Sequence, residues 1–139
     1  MRRIAVLFCV IATLFSISGC KKDYTHGVYE VTITASIISN NSVGNDWQKT
    51  YTSEGRTIVS GEQWTVPLDT TKTLTINATV TESDKWPESG SASLHIILKD
   101  GFETSTTITV TENKGRYKGN KAQWKITCKA QLVKKLEQK

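Results

Sequence analysis

Apolar and polar residues alternate with a period of two through most of the chain beyond residue 27. The clearest row is Leu74, Ile76, Ala78 and Val80, with Thr73, Thr75, Asn77, Thr79 and Thr81 between them. Leu94, Ile96 and Leu98 form a second row, and Ala122, Trp124, Ile126, Cys128, Ala130 and Leu132 a third. Successive side chains of a strand point to opposite faces, so each row predicts a strand with one buried face. No helical 3.6-residue stripe of useful length competes. Strands are predicted near 28–39, 47–53, 56–59, 62–67, 72–82, 92–99, 102–112 and 121–132, with Asp100-Gly101 as a two-residue hairpin signal between the sixth and seventh. About eight short strands predict an all-β fold, a single antiparallel two-sheet β-sandwich.

The first nineteen residues follow a different plan. Arg2 and Arg3 precede an apolar run from Ile4 to Phe15 interrupted by Thr13, and Ser18 and Gly19 supply a small-residue junction. A cationic start, an apolar middle and a small-residue end are the parts of a secretory signal. The run is shorter than the roughly 20 residues a spanning helix needs, and Lys21, Lys22 and Asp23 follow at once. Ile17-Ser18-Gly19-Cys20 resembles the lipobox of bacterial lipoproteins. The resemblance implies cleavage before Cys20, a diacylglycerol thioether on its sulfur and acylation of the new amino terminus. Several acyl chains make a durable anchor, because each buried methylene contributes about 0.8 kcal/mol. Lys21-Lys22-Asp23 is also similar to the start of many Bacteroides-type lipoproteins. The expected organisation is a signal peptide over 1–19, a lipidated tether over 20–27, a β-sandwich over 28–133 and a basic tail over 134–139. The expected location is the cell envelope, anchored to membrane lipid through Cys20, with the domain outside the cytoplasm.

Charge and cysteine content narrow the partners. Of 18 Lys and Arg residues two lie in the leader, leaving 16 against 13 acidic residues. That balance is too mild to imply nucleic acid. Cys9 lies in the leader and Cys20 at the lipidation position, so the mature chain keeps Cys128 as its one thiol and has no internal disulfide. Its place in an apolar row predicts an inert core residue. Residues 114–139 hold nine Lys or Arg and a single acid. Lys125 and Lys129 would discourage sheet-to-sheet pairing if their strand lay at an edge. Lys134, Lys135 and Lys139 are placed to rest on anionic lipid.

If each strand crosses the domain once, the connections 40–46, 60–61, 83–91 and 113–120 gather at the end distal to the tether. Recognition on sandwiches commonly sits in such loops. Asp46, Glu62, Glu82, Asp84, Glu88, Asn113 and Asn120 are oxygen donors of the kind calcium takes, with Asp46, Glu82, Asp84 and Glu88 the expected metal set. The β-sandwich is similar to C2-like or Ig-like domains, and the acidic end loops resemble those of C2-type sandwiches, whose calcium sites use Asp-rich loops at one end. It lacks their Asp-x-Asp pair, and Lys85, Lys114, Arg116 and Lys118 stand in the same loops. Lys114, Arg116, Tyr117 and Lys118, between Gly115 and Gly119, offer cations and an aromatic ring to an anion or a glycan. Trp86 is the tryptophan whose loop context predicts exposure.

Catalysis is not expected. His26 lies in the tether and His95 on an outward strand face, and no metal-protease, Cys-x-x-Cys or nucleophile-elbow motif occurs. The expected function is a lipid-anchored, extracytoplasmic binding or interaction module for a protein or glycan partner, without a cofactor unless calcium binds. A calcium-dependent C2-like domain and an accessory subunit of a cell-surface complex are the alternatives.

Overall fold

The computed structural model describes residues 22–138. Residues 1–21, on which the expected signal peptide, the lipobox-like segment and Cys20 fall, lie outside the described residues, as does Lys139. The described chain is a sandwich of β1 (Tyr24–Asn40), β2 (Trp47–Ser53), β3 (Arg56–Ile58), β4 (Glu62–Pro67), β5 (Thr73–Glu82), β6 (Glu88–Ile97), β7 (Glu103–Thr111) and β8 (Lys121–Glu137). One four-stranded sheet has the order β4-β1-β8-β7 and the other β3-β2-β5-β6, with neighbouring strands paired antiparallel. The expected two-sheet antiparallel architecture of eight strands is the one observed.

The alternating rows explain the packing. Leu74, Ile76, Ala78 and Val80 of β5 are buried, as are Ala122, Trp124, Ile126, Cys128 and Ala130 of β8. These rows meet in one core, where a fully buried aliphatic side chain contributes about 1.5–3 kcal/mol relative to an exposed one. The outward faces are polar. Between β5 and β6 the hydroxyls pair across the strands, Thr79 with Ser91 at 2.9 Å and Thr81 with Ser89 at 2.7 Å. Ser93 donates to Asn77 at 2.6 Å, and His95 meets Thr75 at 3.1 Å on the same face.

Four expectations are corrected. First, the outer strands run farther than their apolar rows. Tyr24 pairs with Glu137 and Gly27 with Lys135, so residues 24–27 open β1 rather than form a tether, and Lys134 and Lys135 belong to β8 rather than to a tail. Ladder hydrogen bonds define these ends where alternation is weak, and Gly27 admits Leu132, Tyr29 and Leu68, each about 3 Å from where its Cβ would stand. Second, Asp100-Gly101 does not close a hairpin, because β6 and β7 lie in different sheets. The turn instead docks on β8: Gly101 N–H donates to Ala130 O at 3.0 Å and Leu132 N–H to Asp100 Oδ1 at 2.9 Å. Third, β8 is central, so Lys125 and Lys129 guard no edge, and Lys129 stands opposite Glu103 in register. Fourth, the 60–61 connection crosses between sheets halfway along β1. Gly61 N–H donates to Val31 O at 2.8 Å, and Ser60 Oγ accepts from Ile33 N–H at 2.8 Å.

Candidate ligand-binding rim

Three loops meet at the end of the sandwich opposite Tyr24: 41–46 between β1 and β2, 83–87 between β5 and β6, and 112–120 between β7 and β8. Backbone bonds join them to each other and to strand ends. Ser83 N–H donates to Asp46 O at 2.7 Å, Asn41 N–H to Lys121 O at 3.0 Å, and Glu112 N–H to Asn120 O at 2.9 Å. Asn40 braces the first loop, with Nδ2 donating to Gly44 O at 2.7 Å and Oδ1 accepting from Val43 N–H at 3.0 Å. Between the first and third loops lies a cleft of about 550 Å³ lined by Asn40, Ser42, Gly44, Asp84, Glu112 and Tyr117 among others.

The acids expected at this end separate into two groups. Carboxylate oxygens of Glu82, Asp84 and Glu88 lie within 4.8 Å of one another. Asp46 stands outside that group, and its backbone carbonyl is what holds Ser83. Glu62 is remote from the rim, since it pairs in register with Val31 and forms an ion pair with Arg56. The Arg56 hydrogen bond holds the Glu62 carboxyl below its ordinary value of 4.5, partly offset by desolvation.

Glu112 was not expected in the site. It is buried, its Oε1 accepts from Lys114 N–H at 3.1 Å, and it faces Glu88 closely enough to affect its titration. Burial raises the Glu88 carboxyl above 4.5, the negative charges of Glu112 and Asp84 raise it further, and the Asn113 amide opposes them. The signal for Glu112 was present in the sequence, because it continues the inward row Ile108, Val110 by one more step.

The loop cations do not pair with these acids. Lys85 Nζ lies 5.0 Å from the centre of the Trp86 ring, and the Arg116 guanidinium lies 4.8 Å from that of Tyr117, whose hydroxyl it also contacts. Trp86 and Tyr117 remain 45% and 44% exposed, enough to present a ring face to a ligand, and Lys114 and Lys118 are exposed beside them. The backbone N–H of Trp86 donates to Asp84 Oδ1 at 2.7 Å, which fixes the turn that carries the ring. The other tryptophans are structural. Trp124 is buried and packs against Trp47 with ring centres 5.4 Å apart, while Trp64 is buried on β4. Cys128 is fully buried, and desolvation pushes its thiol up to about 11.

Fold and rim together define a β-sandwich with a loop-built cleft at one end. Comparison with protein families, with curated proteins and with solved structures gave no match. Among the described residues no helix is long and apolar enough to cross a membrane, which says nothing of strands.

Proposed function

We propose that the chain is a lipid-anchored, extracytoplasmic binding module that takes a protein or glycan ligand at the rim. The anchor rests on the lipobox-like Ile17-Ser18-Gly19-Cys20, which ends four residues before β1 begins. The observation that carries the reading is the polarity of the fold. The chain enters β1 at Tyr24, and the cleft with its exposed rings lies beyond Asn40 at the other end. A 17-residue strand rises about 3.3 Å per residue, so β1 holds the rim on the order of 50 Å from its own start. A lipid at Cys20 would then leave the rim facing outward, where Trp86 and Tyr117 offer ring faces to a sugar or an apolar side chain.

Two measurements test the two halves. Mass spectrometry of the amino-terminal peptide should show an acylated Cys20 at the new terminus, and Cys20→Ser should release the protein from membranes. An unmodified Cys20, or residues 1–19 still attached, refutes the anchor. Photo-cross-linkers placed at position 86 and at Thr71, in the opposite turn, should yield adducts on whole cells from position 86 alone. Equal yields from both positions refute the rim as the working surface.

A further inference from the structure

The core-facing rows of three strands end, at the rim, in carboxylates. Two residues beyond Val80 on β5 stands Glu82, two before Gly90 on β6 stands Glu88, and two beyond Val110 stands Glu112. Period-two geometry points each of them the way the core residues point. They are 2%, 4% and 7% exposed, so water does little to screen them. Asp84, from the intervening loop, completes with Glu82 and Glu88 a group whose oxygens lie within 4.8 Å of one another, and Glu112 stands beside Glu88.

Nothing cationic compensates them among the described residues, whose ion pairs join Lys22 to Glu137, Arg56 to Glu62 and Lys72 to Glu54. The partners they have are backbone amides: Asp84 N–H on Glu82 at 3.0 Å, Asn113 N–H on Glu88 at 3.4 Å, Lys114 N–H on Glu112 at 3.1 Å. Oε2 of Glu88 is buried with no partner at all. Carboxylates this close and this dry call for a compensating positive charge, since charge is costly to bury uncompensated.

We propose that Glu82, Asp84, Glu88 and Glu112 hold a calcium ion that caps the rim end of the core. The donors are all oxygen, without His or Cys, which selects a hard cation. They come from two strand ends, one loop and the residue that follows β7 of the facing sheet, a set suited to calcium's six to eight variable ligands rather than to magnesium's strict octahedron. The cleft beside Asp84 and Glu112 leaves room for water to complete the shell. Gly44 allows the first loop to close over the group, because any Cβ there would overlap the Glu82 carboxylate. The ion joins β5 and β6 to β7 across the two sheets and steadies the loop that carries Trp86. The site depends neither on the anchor nor on the rim's partner, so each of the three ideas fails separately.

The test is thermal unfolding of the full chain after chelation, titrated with calcium chloride and, separately, with magnesium chloride. Calcium should raise Tm progressively, by on the order of 10 °C at a hundredfold excess over Kd, and magnesium by less. Glu88→Gln and Asp84→Asn should abolish the response. Without calcium, Glu88→Gln should melt no lower than the wild type, because one repelling charge is gone. If Glu88→Gln does not fold, Asp84→Asn carries the test from an exposed position. A wild-type Tm unmoved at about 10 mM calcium overturns the proposal, since even weak extracellular sites are filled by then. An undiminished shift in Asp84→Asn also overturns it, by placing the ion elsewhere.

Discussion

Cys128 provides a titration in which the burial of one side chain can be read as stability. It is fully buried on central β8, and desolvation raises its thiol from 9.0 to about 11. The folded chain therefore keeps the proton more tightly than the unfolded chain does. Stability is unaffected well below pH 9, falls as pH rises between the unfolded and folded values, and levels off above the latter. Between about pH 7.5 and pH 10.5 those two values give a loss of about 2 kcal/mol from this residue alone. Cys128→Ala should cost about 1–2 kcal/mol at neutral pH through the cavity it leaves. It should then lose less on going to high pH, so the two chains converge or cross. Tyr51, whose hydroxyl is raised by burial and additionally by Cys128, titrates in both proteins and largely cancels in the difference. Urea unfolding at both pH values, wild type against variant, measures the effect. Parallel losses, agreeing within about 0.5 kcal/mol, would refute the reasoning, because the thiol would then be no drier in the folded chain.

Two further outcomes follow from a close backbone approach at Gly90 and from the Arg56–Glu62 ion pair. A Cβ at Gly90 would overlap Thr109 O on β7 and come within 2.8 Å of Ile108 Cγ2, so Gly90→Ala should force β6 and β7 apart. A denaturation midpoint lowered by the equivalent of about 1–3 kcal/mol is expected, and an unchanged midpoint would show that the two sheets can separate there without strain. Glu62 is held below 4.5 by Arg56, so its contribution is present above the unfolded value and is lost as pH falls through the folded one. Carbon-detected NMR titration should place its midpoint below 4.5 and move it upward in Arg56→Ala; an unmoved midpoint would exclude Arg56 as the cause.

The sandwich was legible wherever a strand had a full inward row, as in Leu74 to Val80 or Ala122 to Ala130. It was illegible where backbone pairing alone defined the strand. Tyr24 to Gly27, and Glu88 to Ser91 at the start of β6, have weak or interrupted alternation and were read as tether and loop. Asp100-Gly101 carried a true turn signal but no information about which sheet would receive the next strand. That was decided by β8, whose backbone accepts the turn. At the rim, Glu82, Asp84 and Glu88 were legible as neighbours in one loop region, whereas Glu112 required knowing that β7 packs beside β6. The inward parity of Glu82 and Glu112 was available from the sequence, although residue type argued against burial; that of Glu88 was not, because the sixth strand was expected only from residue 92.

Because β1 and β8 are the first and last strands of the described chain and pair along nearly their whole length, the order of assembly is constrained. During synthesis β5 and β6 can form a local hairpin early, but β1 has only short β4 to lean on until the chain reaches residue 121. The half-made protein exposes the row Val31, Ile33 and Ala35 for most of its production. Such a chain stays open until β8 arrives and then closes in a late step dominated by distant contacts. Loss of residues 121–138 would remove the middle of one sheet rather than trim an edge, leaving β1 and β7 without the strand that joins them.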